Sequence, residues 1–365
     1  MQFGAQQSSA LDAVAHWYHN ESKFKQVFYL GGYAGTGKTT LAKHFANLIN
    51  GITVYGAYTG KAALVMRKNG CVGASTLHSL IYIPQVQKDG SVKFIFNRES
   101  PLQVASLIII DECSMVNEEL ARDLLRFGKP VLVLGDPAQL PPVSGEGFFT
   151  RNMPDAMLTE IHRQAADNPV IWLASRVRKG HELQLGTYDN CTITNKLNLD
   201  DMRSADQIIA GRHVTRELVN NKMRAILGFE GDYPSISERV LCMKNDRDAG
   251  VFNGGTYEVT HVADMLSSPG FFKMSLDSMD EDLKTNVKVH RYLFDAQYSK
   301  PKNWKALKGS QEFDFAYAMT CHKAQGSQWG VPFIWDESWC FREHSANWLY
   351  TAITRTVDYF TIYRK

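Results

Sequence analysis

The chain has 365 residues, of which 44% are apolar and 21% charged. That balance suits a globular protein of two or three domains and excludes a disordered, collagenous or coiled-coil chain. Forty Lys and Arg against 38 Asp and Glu leave a net charge of only +2, so any basic surface for a polyanion must be local.

Leu11, Val14, Ala15 and Tyr18 fall at helical spacing, which predicts an amphipathic helix over 8–20. The apolar run 26–30 reads as a strand. Gly32-Tyr33-Ala34-Gly35-Thr36-Gly37-Lys38-Thr39 follows it, ahead of the helix-forming TLAKHFANLIN. Strand, G-x4-G-K-T and helix in that order make a phosphate-binding loop. Its glycines let successive backbone N–H groups converge on phosphate oxygens, and the helix N-terminus adds its dipole. Lys38 is placed for the β- and γ-phosphates, and the Thr39 hydroxyl for Mg²⁺.

Further along, Val86-Gln87-Lys88 and 91–96 flank Asp89-Gly90, a hairpin turn signal. Phe94 and Phe96 share one face of the second strand, and that face either meets a base or packs on a neighbouring domain. Two apolar runs then end in acids, as strands do when their C-terminal ends line a site. Leu107–Ile110 runs into Asp111-Glu112, and Val131–Leu134 runs into Gly135-Asp136 ahead of Pro137-Ala138-Gln139. Such continuous runs predict a parallel sheet covered on both faces. Asp111 is placed to hold Mg²⁺, Glu112 to polarise an attacking water, and Gln139 to sense a γ-phosphate. The implied chemistry is NTP hydrolysis, which depends on positioning and charge neutralisation.

In the second half, Asn253-Gly254-Gly255 marks a turn. The stretch 284–308 carries Lys284, Lys288, Arg291, Lys300, Lys302, Lys305 and Lys308 against Asp295, with Tyr292, Tyr298 and Trp304 interleaved. It reads first as a solvated face beside Asp280-Glu281-Asp282, and second as a track for a phosphate backbone with stacked bases. Trp329, Trp335, Trp339 and Trp348 are expected to pack a second sheet domain. Six scattered cysteines without a C-x-x-C pair suit reduced thiols in a cytosolic compartment, and the histidines lack metal-ligand spacing. The N-terminus has no signal-peptide pattern, and the uncharged stretch 69–87 is too broken by polar residues to span a membrane.

Taken in order, these segments resemble superfamily 1 helicases, and within them the RecD/Dda-like group. GGYAGTGKTT, IIIDECSM and LGDPAQLPPV resemble the first three helicase motifs, LTEIHRQ the fourth, AMTCHKAQGSQW the fifth and YTAITRT the sixth. AQQSSA resembles the adenine-reading segment. AYTGKAA, with Tyr58 where the family commonly has proline, and STLHSL resemble DNA-facing segments. The resemblance implies nucleotide contacts from Gln7, Gly32, Gly35, Thr36, Gly37, Lys38, Thr39, Thr40, His162 and Gly326. His162 stands where relatives often carry a base-stacking tyrosine. Arg163 is implied as a γ-phosphate contact and Arg355 as an arginine finger. Strand contacts are implied for Thr59, Lys61, Thr76, His78, His322 and Lys323, with Phe94 or Phe96 acting at the fork.

The implied fold is α/β, with two RecA-like P-loop NTPase domains, a β-hairpin pin insertion and a small SH3-like β-barrel insertion. Residues 1–80 and 101–153 would form the first domain with the ATP site, and 81–100 the pin. Residues 154–230 and 313–365 would form the second domain, and 231–312 the barrel. The implied activity is ATP- and Mg²⁺-dependent unwinding of DNA with 5′-to-3′ translocation on single strands. An RNA helicase and an ATP-gated single-strand clamp that does not unwind are the alternatives. Expected partners are single-stranded and forked DNA, together with replication or recombination proteins such as a single-strand-binding protein. The expected setting is a monomer in the cytoplasm of a bacterium, or of a host if phage-encoded, with no membrane association.

Overall fold

The computed structural model describes residues 3–87, 92–142, 147–160, 168–246, 248–264, 270–294, 307 and 309–365. His162, Arg163, the Asp89-Gly90 turn, Asp295, Tyr298, Lys300, Lys302, Trp304, Lys305 and Lys308 lie outside the described residues. Two compact units emerge: residues 1–183 with 325–327 and 343–354, and residues 184–324 with 328–342 and 355–365.

The first unit contains strands β1 (Val27–Gly32), β2 (Thr53–Ala57), β3 (Ser75–Thr76), β4 (Tyr82–Val86), β5 (Val92–Phe96), β6 (Leu107–Asp111), β7 (Val131–Gly135) and β8 (Ala156–Leu158). Six of them form a parallel sheet in the order β3-β2-β6-β7-β1-β8. Both of its faces are covered, which is why the strands read as unbroken apolar runs. Phe28, Leu30, Leu107, Ile109, Leu132 and Leu134 share a core with Val14, Leu41, Phe45 and Met66 from three helices. Ile108, Ile110, Val131 and Val133 face a second core with Leu77, Ile81, Leu120 and Leu124.

The first helix runs Ala5–His16 and passes into one wider turn, Trp17–Glu21. It starts earlier than its apolar spacing predicts because the Gly4 N–H donates to Gln7 Oε1 at 3.2 Å and so caps it. The predicted hairpin is present: β4 and β5 pair antiparallel from Tyr82↔Phe96 to Val86↔Val92.

The second unit holds β9 (Gly186–Tyr188), β10 (Cys191–Thr194), β11 (Gln207–Ala210), β12 (Arg239–Cys242), β13 (Thr256–Asp264), β14 (Phe271–Ser278), β15 (Lys284–His290), β16 (Phe313–Phe315), β17 (Ala318–Thr320), β18 (Pro332–Trp335) and β19 (Thr361–Tyr363). One sheet has the order β17-β11-β18-β19-β10-β9, parallel except at β9. A separate antiparallel sheet has the order β15-β14-β13-β12-β16. Ile208, Val219, Tyr257, Phe272, Phe313 and Phe333 belong to one core. Arg224 and Glu238 are buried within this unit as a two-bond pair at 2.7 and 2.9 Å.

The tryptophans do not all behave as the sequence suggests. Trp335 packs edge-on to Tyr363 in the second unit, whereas Trp348 is fully buried in the first. Trp339 is 67% exposed. It lies in the kinked 3-10 segment Ser338–His344 after β18, where the Arg212 guanidinium sits 5.4 Å from its ring centre. Among the described residues, no helix is long and apolar enough to cross a membrane.

Candidate functional site

The phosphate loop leaves the C-terminal end of β1, and Lys38 opens the helix Lys38–Leu48. A Cβ on Gly32 would come within 2.7 Å of Thr36 Oγ1 and 3.0 Å of Lys38 Cγ, so the close turn requires glycine there. Gly37 has φ 80, the left-handed conformation glycine adopts without steric cost. Lys38 Nζ donates to the carbonyls of Gly32 at 2.6 Å and Tyr33 at 3.2 Å, which holds the ammonium over the loop. Thr36 is buried, and its hydroxyl donates to Tyr33 O at 2.8 Å. Thr40 is exposed on the same helix.

The Thr39 hydroxyl donates to Asp111 Oδ2 at 2.8 Å, which joins the loop to the end of β6. Asp111 Oδ1 accepts the Glu112 N–H at 2.8 Å. Glu112 itself has φ 53, an uncommon backbone state for a residue with a side chain and one that concentrates at functional sites. A hydroxyl and a carboxylate in contact form a hard oxygen donor set, which fits Mg²⁺.

Gln7 reaches this loop: its Nε2 donates to Thr36 O at 3.1 Å while its Oε1 accepts from Gly4. Arg178 places its guanidinium 3.4 Å from the ring centre of Tyr33. At the end of β7, Asp136 is buried, and Gln139 Oε1 finds no hydrogen-bond partner among the described residues. Asp136 and Gln139 line a cavity of about 260 Å³ together with Ser114, Arg151, His344 and Asn347.

Sequence reasoning singled out Arg355 in the last motif and missed Tyr350. The Tyr350 hydroxyl bonds Asp136 Oδ2 at 2.6 Å and the Ala34 N–H at 3.0 Å. The motif's own tyrosine was the available signal, but its partners are far away in the chain.

The residues expected to face a strand in the first unit have mixed settings. Thr59 and Thr76 cap helices, their hydroxyls accepting from Ala62 N at 3.1 Å and Ser79 N at 3.3 Å. Lys61 is buried. His78 is exposed, with ring contacts to Tyr58 at 6.0 Å and Tyr82 at 6.1 Å. Although part of the ring is exposed, its packed surroundings desolvate it and lower its pKa against the opposing charge of Glu119, which favours a neutral imidazole. Gly326, expected near the nucleotide, packs against the start of the helix that Thr59 caps: a Cβ there would lie 2.8 Å from Ala62 Cβ and 2.9 Å from Thr59 Oγ1.

The two hairpin phenylalanines differ. Phe94 is 60% exposed. Phe96 is stacked on Phe127 at 4.7 Å, with the Arg126 guanidinium 4.5 Å from its ring centre. Of the two rings on this face, Phe96 is packed and Phe94 is exposed.

In the second unit, His322 lies 5.8 Å from Phe341, and Lys323 Nζ donates to Asn253 Oδ1. Desolvation lowers the Lys323 pKa. Arg355 is 5% exposed, and its carbonyl accepts the Trp329 N–H at 2.9 Å. Buried Glu337 accepts from the N–H groups of Gly211 at 3.0 Å and Arg212 at 2.9 Å, and from Arg212 Nε at 2.7 Å. This fixes Arg212 beside exposed Trp339.

Comparison with known proteins adds the following. An AAA domain matches residues 2–194, and a UvrD-like helicase C-terminal domain matches residues 315–363. The chain is 28% identical to the ATP-dependent RecD2 DNA helicase of Deinococcus radiodurans, over 97% of this chain and 48% of that protein. It is 34% identical to the ATP-dependent DNA helicase dda of Enterobacteria phage T4, over 41% of this chain and 37% of that protein. The chain therefore spans about half the length, or less, of these relatives. Bacteroides Pif1 bound to ssDNA superposes with a TM-score of 0.62 at 19% identity, covering 99% of this chain and 92% of that one. Pif1 helicase from Candida albicans gives 0.57 at 17% identity, covering 100% and 95%. The likeness to these structures is one of fold.

Proposed function

The chain belongs to the RecD/Dda/Pif1-like group of superfamily 1 helicases, and on that premise we propose that it is an ATP-dependent DNA helicase translocating 5′ to 3′ on single-stranded DNA. The observation that carries this reading is the 2.8 Å contact between Thr39 and Asp111 beside Lys38. Lys38 and Thr39 open the helix Lys38–Leu48 and Asp111 ends β6, and their contact supports reading the lysine, hydroxyl and carboxylate as parts of one phosphoryl-transfer site. Thr39 and Asp111 would hold Mg²⁺, which when bound neutralises charge on the β- and γ-phosphates.

This chain's own groups do the rest. The loop's backbone N–H groups cradle the phosphates, and Lys38 exchanges its two carbonyl partners for phosphate oxygens. Glu112 accepts a hydrogen bond from the attacking water and draws away its proton. The unpartnered Gln139 Oε1 offers a second acceptor for that water. Gln7, Gly32, Gly35, Thr36, Gly37 and Thr40 complete the nucleotide contacts, with His162 at the base. Arg163 and Arg355 carry the cationic roles at the γ-phosphate.

Both units are taken as RecA-like, with the β4–β5 hairpin as the strand-separating pin and residues 231–312 as an SH3-like barrel. Thr59, Thr76, His78, His322 and Lys323 are the strand contacts in this reading. Hydroxyl, imidazole and ammonium donors suit phosphate oxygens and give hold without sequence choice. Exposed Trp339, steadied by Arg212, supplies a face on which a base stacks. The substrates are single-stranded and forked DNA, and a single-strand-binding protein is the expected companion in the cytoplasm.

ATPase assays of Lys38→Ala with and without single-stranded DNA test the site. Loss of both hydrolysis and unwinding is expected, and near-normal turnover would reject the assignment.

A further inference from the structure

Tyr350 sits on the helix Ser345–Ile353, is 2% exposed, and meets two loops with one oxygen. Its hydroxyl donates to Asp136 Oδ2 at 2.6 Å and accepts from the Ala34 N–H at 3.0 Å. Ala34 lies inside the phosphate loop. Asp136 opens the turn that ends in Gln139, whose N–H donates to the Asp136 carbonyl at 3.1 Å. The other Asp136 oxygen accepts the Ala138 N–H at 3.0 Å, so one carboxylate oxygen is held by its own turn and the other by Tyr350.

Two neighbours on the same helical face tie the helix to that turn. Asn347 Nδ2 donates to Ala138 O at 3.0 Å, and Thr351 Oγ1 accepts from Leu140 N at 2.8 Å. Positions 347, 350 and 351 follow the i, i+3, i+4 rule for one face. To this bracing Tyr350 adds a bond to the phosphate loop.

The chemistry of that oxygen fits a coupling role. A phenol that donates to a carboxylate becomes a better acceptor, so the two bonds strengthen each other. Burial, reinforced by the Asp136 charge, pushes the phenol's pKa far above its ordinary value, so the hydroxyl stays protonated and its donor direction is fixed. A phenylalanine would fill the same space, so the oxygen is not needed for packing.

We infer that Tyr350 is a positioning residue for ATP hydrolysis. Its hydroxyl holds the Ala34 end of the phosphate loop in register with the Asp136–Gln139 turn, so that a change at the phosphates moves loop, turn and helix together. The inference rests on the reading of the phosphate loop as an ATPase site.

The test is steady-state ATPase of the wild type, Tyr350→Phe, Asp136→Asn and the double variant, each with and without saturating single-stranded DNA. Thermal unfolding is followed in parallel. Tyr350→Phe is expected to unfold within a few degrees of the wild type and to keep KM for ATP within about threefold. Its DNA-stimulated kcat should fall roughly tenfold or more, the scale of a buried hydrogen bond to a charged group. The double variant should lose less than the product of the single losses, because both changes cut one link. Wild-type kcat and DNA stimulation in Tyr350→Phe would overturn the inference. Were that variant unfolded, wild-type kcat in folded Asp136→Asn would do the same. A wild type that hydrolyses no ATP would instead reject the ATPase reading, and the role of Tyr350 with it.

Discussion

Thr39 and Asp111 are 72 residues apart, yet their side-chain oxygens meet at 2.8 Å, because Asp111 ends β6 and Thr39 lies in the first turn of the helix that follows β1 of the same parallel sheet. If they share a Mg²⁺, Asp111→Asn should raise the Mg²⁺ concentration for half-maximal ATPase tenfold or more. A titration unchanged from wild type would detach Asp111 from the metal. The phosphate loop and both acidic strand ends were legible in the sequence, because the turn, the helix start and the apolar runs are dictated by adjacent residues. Tyr350 was not legible as a partner of Asp136. The two are 214 positions apart, and nothing local in YTAITRT says which oxygen its tyrosine will meet. The neighbours of Gly326 were not legible for the same reason: Thr59 and Ala62 come from the other end of the chain.

At the level of elements, the β4–β5 hairpin shows how alternation identifies a face without saying what covers it. Phe94 and Phe96 do alternate to one side, but Phe96 stacks on Phe127 while Phe94 is exposed. Phe94→Ala is therefore expected to slow strand separation several-fold with DNA-stimulated ATPase intact. Equal loss in both assays would place Phe94 outside the pin role. Trp339 was misread as core because a tryptophan near a strand end resembles packing in sequence, whereas the segment after β18 turns it outward. Trp339→Ala should weaken single-strand binding by about 1–3 kcal/mol, the worth of one stacked base, measured by fluorescence titration. Binding equal to wild type would remove it from the strand path. In the second unit, Glu238 of the buried Arg224–Glu238 pair also accepts bonds from Ser235 N at 2.8 Å and the Tyr317 hydroxyl at 3.2 Å. Glu238→Ala would leave a buried guanidinium uncompensated, at a cost of about 3–5 kcal/mol in urea unfolding. A loss below 1 kcal/mol would mean that the site rehydrates.

Across the whole molecule, one phosphate loop serves a chain with two parallel-sheet units, and its sequence contains no second G-K-T. Sheet class was legible from the apolar runs. The strand order of the five-stranded antiparallel sheet was not legible, because β16 returns to β12 from 71 positions after Cys242. The helicase reading requires ATP turnover to become directed movement along a strand. Its most direct test is ATP-driven separation of matched DNA duplexes carrying either a 5′ or a 3′ single-stranded tail, with Glu112→Gln as the hydrolysis-deficient control. Opening of the 5′-tailed duplex alone, lost in Glu112→Gln, is the expected result. Opening of the 3′-tailed duplex alone would contradict the polarity, and opening of neither would contradict unwinding itself.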